Sequence, residues 1–224
     1  MSLPEVIRAD PPGTPGPPRK ASREARRQQL IDATIETIAL RGYARTTLSD
    51  VSALAGLSHG LVNFHFQTKE KLFSETLRFL AEEYALNWTT ALAAATPTPA
   101  ARLDALLRAD FNEAVCSPNK LAAWCAFWGE AASRPLYQQE CGAMDARYNA
   151  LHEEICRQLI ETGGYSLRAD RVARVLRVTS EGVWLDMMTM ADPYSRSEAR
   201  STLYTCAASF FPNHFAAGGL IVNS

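Results

Sequence analysis

Three features of this 224-residue chain predict an all-α fold. Apolar residues recur at helical spacing from Arg19 onward, alternating β-branched runs are scarce, and Gly and Pro fall in short breaks between apolar stretches. Hydrophobic residues make up 47% of the chain, enough at this length for a sizeable core. Mean hydropathy is −0.15, and no run approaches the ~18 apolar residues that a bilayer span needs. The most apolar stretch, residues 121–129 (LAAWCAFWG), reads as a buried helix, and no secretory signal is expected at the start. Five cysteines, 116, 125, 141, 156 and 206, lack the paired spacing of a disulfide framework or zinc site. They are expected as reduced core thiols in a cytoplasmic protein.

The elements follow in order. Residues 1–18 carry six prolines and little apolar periodicity, so a disordered tail is expected there. A first helix is predicted from Ser22, as N-cap, to about Leu40, stopped by Gly42. Leu30, Ile31, Thr34, Ile35, Ile38 and Ala39 share one of its faces. A second begins at Thr47, whose hydroxyl suits the amide of Asp50 in a capping box. It carries Leu48, Val51, Leu54 and Ala55 inward and ends at Gly56. A short third runs from Ser58 to Phe66, and a long fourth from Thr68 to about Ala95. Five more are expected near 99–115, 119–132, 135–162, 169–191 and 196–211, with breaks at Pro118, Pro135, Gly163–Gly164 and Pro193. That makes nine helices and no convincing strand.

The near-zero net charge of −1 hides a split. Residues 1–72 hold ten basic and seven acidic side chains, an excess of +3. The remaining thirteen basic and seventeen acidic give −4. Chance drift can produce such a difference; so can a phosphate-facing head on an acidic body. Within that head, the helices joined by residues 55–58 (AGLS) have the form of a helix-turn-helix. Gly56 supplies the positive φ of the turn, and Leu57 plugs the angle. Leu57, Val62 and Phe66 would hold the second helix, leaving Ser58, His59, Gly60 and Asn63 outward, a small polar surface suited to a major groove.

The residues from Gln29 to Leu72 resemble the DNA-binding domain of the TetR family of bacterial repressors. The resemblance is carried by LIDATIETIALRGY, by TTLSDVSALAGLS, and by FHFQTKEKL at 64–72, which carries the family's HF-x-S/T-K-E-x-L signature. One departure stands in the recognition helix, where Asn63 replaces the usual Tyr. The resemblance implies that Thr47 sits on phosphate, that Ser58, His59, Gly60 and Asn63 approach base edges, and that His65 and Lys69 meet phosphates. Plain structural roles for His65, as a buried hydrogen-bonded ring, and for Lys69, as a solvated charge, stay open. Arg19 and Lys20 would form a backbone-touching arm. It further implies a homodimer on a palindromic operator, joined through the last two helices. The candidates there are Val172, Leu176, Val183, Leu185 and Met188 with Leu203, Tyr204, Ala207 and Phe210, residues that an intramolecular core would equally use.

In the body, residues 111–113 (FNE), 124–128 (WCAFW), Pro135, Arg147–Tyr148 and 181–185 (EGVWL) are similar to the BetI branch of the family. That branch represses choline-to-glycine-betaine genes and responds to choline. The residues suit such an effector on their own chemistry, because a quaternary ammonium donates no hydrogen bonds and is held by aromatic faces and carboxylates. The candidate ligand residues are Trp124, Phe127, Trp128, Tyr148 and Trp184 with Asp110, Glu113 and Glu181; Tyr137 and Asp145 lie nearby in sequence. An aromatic stripe at helical spacing also suits a core, and both readings stand. No GxSxG, P-loop or GxGxxG motif occurs. His152 and Cys156 lack a third metal ligand, so no enzyme, cofactor or metal is expected. The reading is a DNA-binding head at 19–72 and an effector and dimerisation body at 73–224, with no membrane partner. A helical small-molecule or protein-binding module without DNA regulation is the alternative.

Overall fold

The computed structural model describes residues 19–130, 134–192 and 195–221, with side chains from Ser22. The expected tail at 1–18 lies outside the described residues, as do the side chains of Arg19 and Lys20. Among the described residues the chain forms nine helices: α1 Arg19–Arg41, α2 Leu48–Ala55, α3 His59–Phe66, α4 Lys69–Ala94, α5 Pro99–Ala109, α6 Pro118–Gly129, α7 Arg134–Gly163, α8 Ala169–Thr189 and α9 Arg196–Phe210. None is long and apolar enough to cross a membrane.

α1 to α3 make a small head whose core is Leu30, Ile31, Ile35, Ile38, Val51, Val62 and Phe66. α4 starts in the head and continues into the body, burying Phe73 and Leu77 near one end and Trp88 near the other. The 72/73 boundary drawn from sequence therefore falls within its first turn. α1 also lies along α6, so the head meets the body through two helices. Charge stitches the same junction. Glu75 of α4 receives Arg27 of α1 and Arg78, and Arg78 reaches Glu140 of α7 at 3.0 Å.

Four sequence expectations are corrected. α1 begins at Arg19, so Ser22 lies inside it rather than capping it. Leu54 is 42% exposed, because the eight-residue α2 turns Val51, Ser52 and Ala55 inward and leaves Leu54 off that face. α5 stops at Ala109 rather than near 115. The carbonyl of Ala109 accepts the Asn87 side-chain amide at 2.8 Å, and the chain then turns tightly through 110–116. Last, a two-residue hairpin, β1 Phe215–Ala216 with β2 Gly219–Leu220, folds back so that Phe215 stacks on Tyr204. Strands of two residues are too short to leave a period.

Candidate functional site

The head's outer surface is built from two caps. The Thr47 hydroxyl accepts the Asp50 amide at 3.2 Å, and the Asp50 carboxylate accepts the Thr47 amide at 3.0 Å, the reciprocal box expected from sequence. The Thr47 hydroxyl, then its amide and Arg41 at 3.2 Å, hold the Asp50 carboxyl below its ordinary range. Gly56 ends α2 at φ 63°, left-handed backbone that suits glycine. Ser58 then caps α3, its hydroxyl accepting the Leu61 amide at 3.3 Å. Thr47→Ala is expected to lower stability by about 1 kcal/mol. That is a fall in Tm of about 2–4 °C at this chain length, measurable by calorimetry.

On α3, Val62 and Phe66 point inward while His59, Gly60 and Asn63 form an exposed face, as read from sequence. Phe64 shares that face at 63% exposure, with the Arg23 guanidinium 5.4 Å from its ring centre. Sequence reasoning missed Phe64, taking it as part of a motif; its position beside Asn63 on α3 was the available signal.

Two expected phosphate ligands are placed differently. The Lys69 ammonium donates to the carbonyls of Tyr43 at 3.2 Å and Ala44 at 3.0 Å, and lies over the rings of Tyr43 and Phe73. It fastens the start of α4 to the α1–α2 turn. His65 is half-buried between Phe64 and Phe66, and burial, with Arg23 and Arg27 nearby, lowers its pKa. That shift favours the neutral form of the ring.

The body holds a cavity of about 440 Å³ among α4, α6, α7, α8 and the turn after α5, within the size range of small-molecule sites. Its wall is a row of rings. Trp184 and Trp128 lie 6.2 Å apart with planes 9° from parallel, Trp128 and Trp124 are 5.9 Å apart, and Tyr137 meets Trp124 edge-on at 6.4 Å. Trp128 is 39% exposed, so the wall is open to solvent at that point.

Asp110 closes one end of the row. One carboxylate oxygen accepts the hydroxyls of Tyr84 at 2.7 Å and Tyr148 at 3.0 Å, and the other accepts Ser180 at 2.6 Å. Its backbone carbonyl accepts the Trp184 indole N–H at 3.0 Å. Burial pushes the Asp110 carboxyl up to about 6 despite those three donors. Burial raises both tyrosines as well, so they remain protonated donors. At the other end Asp145 accepts the Tyr137 hydroxyl at 3.1 Å, its pKa also raised by burial. Glu181 is paired with Arg177 one turn away on α8.

Six of the eight ligand residues expected from sequence therefore meet: Trp124, Trp128, Tyr148, Trp184, Asp110 and Glu181 line the cavity. Phe127 does not. It lies about 100° round α6 from Trp128, 1% exposed, with Tyr43 at 5.5 Å and Phe73 at 6.1 Å. Glu113 does not either; it is exposed on the turn after α5 and pairs with Arg196 at 3.2 Å. Arg177 and Ser180, unforeseen, sit one turn from Glu181 and Trp184 on the same face of α8, a spacing that could have found them. Tyr84 comes from α4, distant in sequence, with no local signal. Trp88 is a core residue, 1% exposed, with Arg147 over its face.

On α8 and α9 most of the expected dimer residues are internal. Val172, Leu176, Val183, Leu203, Tyr204 and Ala207 are buried within this chain. The outward stripe on α8 is Val175, Val178 and Leu185, between 43% and 51% exposed.

Comparison with known proteins agrees with this anatomy. Residues 30–76 match the family described as bacterial regulatory proteins, tetR family, and residues 99–212 match the BetI-type transcriptional repressor, C-terminal family. The HTH-type transcriptional regulator BetI of Burkholderia mallei is 31% identical over 182 residues, 81% of this chain and 91% of that protein. A putative transcriptional regulator from Pseudomonas aeruginosa PAO1 superposes with a TM-score of 0.69 at 25% identity, covering 84% of this chain and 91% of its own. A putative regulator from Saccharomonospora viridis, solved in complex with choline, superposes with a TM-score of 0.67 at 19% identity, covering 86% and 98%. The matched families and relatives are regulators of transcription and not enzymes, and this chain belongs to the TetR family of bacterial transcriptional regulators, with a BetI-type C-terminal body.

Proposed function

We propose that this regulator is a homodimeric repressor that leaves its operator when the body cavity takes up a quaternary ammonium cation such as choline. The observation that carries the effector is the cavity itself: three tryptophans in a row ending on a buried carboxylate, Asp110. Such a cation cannot satisfy hydrogen-bonding groups, and aromatic faces worth roughly 0.5–2 kcal/mol each are its natural surroundings. The choline in the Saccharomonospora viridis structure is a precedent on the same fold.

His59, Gly60 and Asn63, with Phe64, face the major groove in this reading, and Thr47, Ser58 and the exposed Arg23, Arg26, Arg41 and Arg45 border phosphates. Residues 19–72 serve as head and 73–224 as body, acting on DNA in the cytoplasm. Two copies meeting on the outward stripe of α8 and the exposed hydroxyl face of α9 (Ser201, Thr205, Ser209) would set two α3 helices about 34–36 Å apart, one DNA turn. A palindromic site follows from that symmetry. α4, running from the turn after α3 to the cavity, would change that spacing when the effector binds.

The test is fluorescence anisotropy with DNA flanking the protein's own gene. Wild type is expected to bind one site specifically, with affinity falling steeply as salt rises. Asn63→Ala should weaken it by about tenfold, the loss of one base-edge contact, and choline should weaken wild-type binding. Absence of any sequence-specific binding would overturn the repressor in favour of a sequestering module. Retained DNA binding with no response to choline or tetramethylammonium would overturn the effector alone.

A further inference from the structure

The cavity's charge does not balance for a monocation. Three carboxylates line it, Asp110, Asp145 and Glu181, against Arg177, the one lining basic side chain among the described residues. Arg177 pairs with Glu181, and among the described residues neither Asp110 nor Asp145 forms an ion pair. Those two carboxylates stand at opposite ends of one aromatic row. Asp110 holds Trp184 through its backbone carbonyl; Trp184, Trp128, Trp124 and Tyr137 follow in steps of 6.2, 5.9 and 6.4 Å; and the Tyr137 hydroxyl ends on Asp145. The hydrogen-bond donors to each carboxylate are neutral hydroxyls, which orient its charge without cancelling it; Arg177, already paired with Glu181, acts on Asp145 at longer range, so three carboxylates against one guanidinium leave two negative charges to be met.

The geometry points to an elongated dication as the effector: a molecule with a positive group at each end and an apolar chain between, one end at Asp110 and the other at Asp145, its chain along the tryptophan row. This rests on the cationic reading of the cavity and narrows it. A compact monocation meets one carboxylate and leaves the second with only a guanidinium already paired with Glu181, a shortfall of positive charge that protein interiors avoid. A dication satisfies both, and its methylenes cover the indole faces between them.

The test compares two ligand series on the full-length protein by Trp fluorescence and calorimetry. One is α,ω-bis(trimethylammonium)alkanes of increasing length, the other alkyltrimethylammonium ions of the same lengths. The second trimethylammonium group is then the difference at each length. The expected result is an optimum length at which the dication binds about tenfold or more tighter than its monocation partner, a difference of 1.4 kcal/mol. Asp145→Asn should cut that preference at least about fivefold, with operator binding and Tm reporting that the variant folds. Equal affinity for the two series at every length overturns the dication while leaving a monocation effector standing. A preference that Asp145→Asn leaves intact overturns the placement of the second charge, and with it this proposal. No binding by either series, nor by tetramethylammonium, overturns both this proposal and the cationic reading beneath it.

Discussion

Replacing Asp110 with Asn is expected to weaken tetramethylammonium binding at about pH 7.5 by tenfold or more, and to flatten its dependence on pH to what Asp145, the other cavity carboxyl raised by burial, contributes. A cation about 5 Å from a carboxylate, at an effective dielectric of about 20, gains about 3 kcal/mol, so tenfold is a conservative reading. The pH dependence follows from the raised carboxyl. Asp110 ionises at about 6 in the fold, against an ordinary value of 3.8. Below 6 it is increasingly protonated, so wild-type affinity should rise with pH through 6 and level above it. Tetramethylammonium carries its charge at every pH, which makes the carboxylate the titrating partner. Glu181, Arg177 and the hydroxyls of Tyr84, Tyr148 and Ser180 surround the same site, and the tyrosines stay protonated throughout. A wild-type affinity flat between pH 5 and pH 8 would contradict this account.

The same shift has an opposite consequence for stability without effector. A carboxyl whose pKa is raised by folding binds more protons in the native state, so stability falls as pH rises from about 4 to about 6, by about 3 kcal/mol in all. Asp110→Ala removes that liability and also strands three buried hydroxyls, each at about 1–3 kcal/mol. The deficit of the variant relative to wild type should therefore widen as pH falls toward about 4, stand at about 3–5 kcal/mol at about pH 5, and be smaller at about pH 8. Denaturant melts at the two pH values check the sign.

How much of this was legible in the sequence depends on whether a feature is local. The Thr47–Asp50 box and the left-handed Gly56 are written in adjacent residues, and both stand where the spacing placed them. The aromatic row was half legible. Trp124 and Trp128 share a helix face, but that Trp184 would stack on Trp128 depends on how α8 packs against α6. Tyr84 was beyond reach for the same reason, since a residue on α4 joins Asp110 only through tertiary packing. Lys69 shows the reverse failure: a motif position carried an expected role, while the fold supplied two carbonyls for its ammonium from the α1–α2 turn. Periodicity says which residues share a face; it does not say what that face meets. Phe127 is the case with the largest consequence.

Phe127→Ala is expected to destabilise the protein by about 3–5 kcal/mol, the range for a buried Phe whose surroundings relax only in part. Its ring is 1% exposed and touches the α1–α2 turn of the head and the start of α4. Tyr43, at 5.5 Å, lies in the turn that leads to the α2 cap. Phe73, at 6.1 Å, lies one turn into α4, and Lys69 ties these two rings together. On the same helix, Trp124 and Trp128 form the cavity wall. α6 thus presents the cavity on one face and the head on another, and under the proposed function this ring is the expected route by which a displacement of the tryptophans reaches the helix-turn-helix. Phe127→Leu separates packing from coupling. It keeps most of the volume and should cost less than about 1.5 kcal/mol, with operator and effector affinities measured alone within about threefold of wild type. The factor by which saturating effector weakens operator binding is expected to fall by about threefold or more, a part of the 1–3 kcal/mol that such couplings span. Anisotropy titrations with and without effector measure that factor directly. An unchanged factor in Phe127→Leu, with the stability loss confirmed in Phe127→Ala, would make this ring a core residue that carries no signal, and would leave α4 to connect the cavity to DNA without α6.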